Sequence, residues 1–89
     1  MKLSNIDSAR MMRDAGIDAM AALDSAIRDT IDGLPANEQK AIKHAFGEAM
    51  ASVMVELINP ATAAFPELEP DDATWAAVAR PRAAERIAS

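Results

Sequence analysis

Between Ser4 and Asp32, apolar residues recur at spacings of three and four. Ala9, Met12, Gly16, Met20, Leu23, Ile27 and Ile31 share one face when the chain is wound at about 100° per residue, with Ala19 and Thr30 at its edge. The opposite face carries Asp7, Asp14, Asp18, Ser25, Asp29 and Asp32. The pattern predicts a helix over residues 4–32 that is apolar on one side and acidic on the other. Ser4 or Asn5 can cap its start through a side-chain oxygen. Gly33 supplies the left-handed position that closes many helices, and Leu34 follows where a closing apolar contact is expected. At about 1.5 Å per residue this helix is about 40 Å long.

The turn around Gly33-Leu34-Pro35 is short, so the next helix runs back antiparallel. It is expected over residues 36–58, with a main stripe of Ile42, Phe46, Ala49, Met50, Val53 and Leu57 facing the first helix. A second stripe, Gly47, Ala51, Met54 and Ile58 with Val55 beside it, lies about 100–120° away. A surface helix needs only one apolar face, so this second stripe calls for a cover. Asn59-Pro60 then stops or kinks the helix, or begins a new turn with Pro60 at its first position. Short helical segments are expected at 60–65, 71–80 and 81–88. Asp71 or Asp72 caps the middle one, which carries Trp75, Val78 and Ala79.

The expected fold is all-α. It is one helical domain over residues 1–89, an antiparallel hairpin of two long helices followed by short C-terminal segments. Two covers suit the second stripe: the chain's own tail, through Trp75, Val78 and Ile87, and a second copy. Both together give a homodimer, a four-helix bundle about a two-fold axis, the commonest oligomer symmetry. Its expected interface is Gly47, Ala51, Met54, Val55 and Ile58, with Trp75 sealing one end.

Composition supports helices. Half the chain is apolar, much of it alanine, while two phenylalanines, one tryptophan and no tyrosine supply little bulk for a sandwich of sheets. The absence of cysteine excludes disulfides and thiolate metal sites. A net charge of −5 repels phosphate backbones. The basic residues Lys40 and Lys43, and Arg80, Arg82 and Arg86, are too sparse to offset it, so no nucleic-acid partner is expected. No stretch reaches the ~20 apolar residues that span a bilayer, and Met1–Asp7 lacks the apolar run of a signal peptide. No membrane partner and a cytoplasmic location are the expectations.

Candidate chemistry is thin. His44, the one histidine, shares a face with Glu48, but a di-metal bundle wants Glu three residues before the histidine, and Ala41 stands there. The acids Glu67, Glu69, Asp71 and Asp72 lack the alternating ligands and central glycine of a calcium loop. No catalytic residue, cofactor or metal site is therefore expected. Met11, Met12, Met20, Met50 and Met54 are the most suggestive group, because methionine suits surfaces that adapt to partners. The leading expectation is a non-enzymatic interaction or scaffold protein, a homodimeric bundle with a Met-lined groove for a protein partner. The alternative is an acidic inhibitor, antitoxin-like or phage-type. It would engage a basic enzyme or nucleic-acid-binding protein through the acidic face of Asp7, Asp14, Asp18, Asp29 and Asp32.

Overall fold

In the computed structural model, the backbone is described for residues 2–88 and the side chains for residues 2–80. Every regular element among them is helical. Helix α1 spans Ile6–Ile31. Asn5, not Ser4, caps it: its Oδ1 accepts the amides of Asp7 at 2.8 Å and Ser8 at 3.2 Å. Gly33 closes it with φ +74°, and the Leu34 amide donates back to the Ile31 carbonyl at 3.2 Å. The Gln39 side chain donates to the Leu34 carbonyl at 2.9 Å, fastening the turn to the next helix.

Helix α2 spans Ala36–Val53 and returns antiparallel to α1: Leu23 meets Phe46 near the turn, while Gly16 meets Leu57 and Ile58 farther away. Proline does not stop it. A π-helical turn, Met54–Ile58, leads straight into α3, Asn59–Ala64, and the Asn59 amide donates to the Met54 carbonyl five residues back. Pro60 lacks an amide, and its ring crowds the carbonyl four residues earlier. The wider turn relieves that conflict by inserting one residue into the ladder. Everything after it is turned back by about 100°. Ile58, which a regular helix puts on the second stripe, is thereby carried onto the face that packs against α1.

Among the described residues, the buried apolar side chains are Ala9, Ile17, Ile58, Ala61 and Leu68, and Gly16 is buried with them. Ala9, Ala61 and Leu68 cluster where the start of α1 meets α3 and a 3-10 turn at Pro66–Leu68, with Leu3, Ile6 and Phe65 around them, while Ile58 packs against Gly16 of α1. Gly16 permits the closest approach: a Cβ there would lie 2.6 Å from Ile58 Cγ1 and 3.3 Å from Leu57 Cβ. Arg13 locks the 3-10 turn to α1. Its Nη1 donates to the Leu68 carbonyl at 3.0 Å, and its Nε and Nη2 grip Asp14 at 3.0 and 2.8 Å.

Helix α4, Asp72–Ala88, is continuous where two segments divided at Pro81 were expected. Proline leaves one ladder carbonyl unmatched, that of Ala77, and Ala77 is exposed, so water can take the missing donor's place. α4 lies along α1 rather than across the second stripe of α2. The side chains of Arg82, Arg86 and Ile87 fall outside the described residues.

Asp71 caps α4, its Oδ1 accepting the Thr74 amide at 2.8 Å. That bond, seconded by one from the Thr74 side chain, holds the Asp71 carboxyl below the usual carboxylate range. A depressed folded pKa means the cap's contribution is complete above the unfolded value, about 4, and is lost as pH falls through the folded one. The Thr74 amide resonance is expected to titrate below pH about 4 in the native chain and to stop titrating in Asp71→Asn. An unchanged titration in the variant rules out Asp71 as its source.

Candidate interaction surface

The six residues expected at the interface are not gathered on one surface. Ile58 is 2% exposed and packs against Gly16 within the chain. Met54 is half-buried, whereas Gly47 and Ala51 are exposed and Val55 is 59% exposed. Trp75 sits half-buried on α4. Gly47 serves no close approach within the subunit, since a Cβ there would meet nothing within 4 Å. The π-turn explains the division: it takes Ile58 into the core and leaves Gly47, Ala51 and Val55 outside.

The half of the hairpin nearest its turn is the less finished part of the molecule. α2 contains no buried residue in its 18 positions, and its seam residues Ile42, Phe46, Met50 and Val53 are only half-covered. Opposite them Met20, Leu23, Ile27 and Ile31 are in the same condition. On one flank of this seam an open hollow of about 190 Å³ is lined by Leu23, Ala45, Phe46 and Ala49. Phe46 and Ala49 were legible as seam residues, but Ala45 was not. An alanine on the shoulder of an amphipathic helix reads as helix-forming filler until its neighbours are seen.

The acidic face is broken into parts. Asp7 pairs with Arg10 at 2.9 Å and Asp24 with Arg28 at 3.1 Å, both on the exposed surface. Asp14 is held by Arg13 with its side chain only 22% exposed, and Asp18 is half-buried. Asp29 and Asp32 remain exposed near the turn. Asp14 and Asp18 are thus half-buried on the arc of α1 turned away from α2.

His44 Nε2 stands 3.6 Å from Glu48 Oε1 on the exposed surface, one helical turn apart, an ion pair only when the imidazole is protonated. Among the described residues, no group of three or more histidine, cysteine or acidic side chains is arranged to hold a metal ion. No helix among them is long and apolar enough to cross a membrane. Set beside models of protein families, curated proteins and solved structures, the chain matches none of them.

Proposed function

We propose that the protein is a non-enzymatic interaction protein that acts as a homodimeric helical bundle. The observation that carries this reading is an 18-residue helix, α2, without one buried residue. Burying a large apolar side chain fully is worth about 1.5–3 kcal/mol, so each half-covered one leaves about 1 kcal/mol unrealised. Ile42, Phe46, Met50 and Val53 together leave several kcal/mol, comparable with the whole stability of a small domain. The shape agrees. The radius of gyration is 14.8 Å, where about 12 Å suits a compact chain of this length. The exposed surface is 5966 Å², against about 5000 Å² for a monomer of this mass.

A second subunit laid along the hairpin supplies the missing cover and completes four helices around one core. Sedimentation equilibrium at micromolar concentration is expected to give twice the 9.5 kDa subunit mass. A single-subunit mass throughout that range, with helicity undiminished, overturns the reading.

A further inference from the structure

We infer that the second copy docks on the flank of the hairpin that holds the Leu23–Phe46 hollow, and not on the Gly47–Ala51–Val55 flank; this inference rests on the homodimer proposed above. Three observations lead there.

The first is the distribution of charge around α1. Every charged residue of the helix falls on an arc of about 160°. On the uncharged remainder, the part left open beside the hollow carries Met12, Ala15, Ala19, Leu23 and Ala26. Ala15 and Ala26 are exposed, and across the seam so are Ala45 and Ala49 of α2. A chain of net charge −5 that meets its own copy needs a contact centre without acids, because an isologous contact sets each surface against the same surface. A basic partner steered by charge would instead call for acids on the contact face. The α1 half of this face is uncharged, and on α2 the exposed Ala45 and Ala49 lie between Glu38 and Glu56, which stand at the two ends of their stripe.

The second observation is size. The face runs about 27 Å along α1 from Met12 to Thr30 and is two helices, about 20 Å, wide. That is about 540 Å² on each subunit and about 1100 Å² for the pair, just above the roughly 1000 Å² that a specific interface has to clear. The 190 Å³ hollow, walled only by leucine, alanine and phenylalanine, has room for one bulky side chain of the facing copy.

The third observation is the alternative flank. Its strongest apolar member, Ile58, is already spent on the subunit's own core. Lys40 and Lys43 border what remains, Gly47 and Ala51 among it. That flank has small residues, and a Cβ at Gly47 would meet nothing within 4 Å.

The chain has no cysteine, so single-cysteine variants report each flank separately. With Ala45→Cys, alkylation is expected to slow at least tenfold as protein concentration rises through the association range. With Ala51→Cys the rate is expected to stay constant. In parallel, Ala45→Glu and Ala26→Glu, one on each helix, are expected to weaken self-association at least 100-fold with helicity retained, while Ala51→Glu associates like the native chain. Protection of Cys at position 51 instead of 45 overturns the choice of flank and leaves the homodimer standing. Equal protection of both positions also overturns it. A native chain that stays monomeric removes the homodimer and this inference together.

Discussion

Replacing Gly16 with alanine is expected to destabilise the protein by about 1–2 kcal/mol, although alanine is the better helix former by about 1 kcal/mol. The added methyl would lie 2.6 Å from Ile58 Cγ1 and 3.2 Å from its Cδ1. Ile58 has nowhere to retreat, being 2% exposed and pressed by its own π-turn against α1 at Gly16. Overpacking of this kind costs about 1–3 kcal/mol, enough to outweigh the propensity gain. Gly47→Ala provides the opposite sign in the neighbouring helix. With open space around its new methyl, it is expected to gain up to about 1 kcal/mol.

Ile58→Ala alone leaves a cavity and costs about 2–4 kcal/mol. In the double variant the methyl at position 16 occupies part of that cavity. The combined loss is therefore expected to fall short of the sum by at least about 1 kcal/mol, as happens when contacting residues couple. Urea denaturation of the four variants at one fixed subunit concentration measures all of this. If Gly16→Ala raises the midpoint as Gly47→Ala does, the close approach of α1 to the π-turn is not a packing constraint.

That contact also shows which parts of the architecture the residues disclose. Gly33 at the turn, Asn5 at the head of α1 and Asp71 at the head of α4 act locally, through one torsion or one side-chain oxygen, so the glycine was readable along the chain and each cap was narrowed to two neighbours, Ser4 or Asn5 and Asp71 or Asp72. The seam residues from Met12 to Ile31 were readable because a period of 3.6 needs no knowledge of the partner helix. The direction of Ile58 was not. It depends on whether Pro60 is answered by a break, a kink or a widened turn, and all three satisfy the local rule for proline. Choosing between them takes Gly16, forty-two positions earlier, whose missing side chain makes room for Ile58 once the widened turn has rotated it inward. The continuity of α4 through Pro81 was hidden for the same reason. The cost of a lost hydrogen bond depends on whether the orphaned carbonyl is wet. In the surface proposed for docking, the uncharged arc of α1 was present in the pattern. Its meaning emerges only beside the open hollow that Leu23 shares with Ala45, Phe46 and Ala49.

Arg13 is the residue most easily misread, one more charge on an amphipathic helix, and its loss is expected to cost about 2–3 kcal/mol. Arg13 and Asp14 keep only 11% and 22% of their side chains in solvent, so water can replace little of what is removed. In Arg13→Met the aliphatic stem still packs, but the Asp14 carboxylate loses two donors and the Leu68 carbonyl loses the guanidinium N–H that it accepts. Leaving buried polar groups without partners costs about 1–3 kcal/mol, more when one is charged. Arg13→Lys keeps the charge but not the planar fork that reaches two acceptors in different directions, so it is expected to recover at most about half of the loss.

The comparison is Arg10→Met. It breaks an ion pair with Asp7 of nearly the same length on the open surface and is expected to cost less than about 1 kcal/mol. The damage at Arg13 should also be local before it is global. Because the guanidinium ties α1 to a 3-10 turn fifty-five residues away, the amides of Leu68 and Glu69, which bond to the Phe65 and Pro66 carbonyls, are expected to exchange faster in Arg13→Met than in Arg10→Met. Equal exchange at Leu68 and Glu69 in the two variants, with equal denaturation midpoints, excludes Arg13 as the clamp between α1 and that turn. The half-buried pair would then be no stronger than its exposed neighbour.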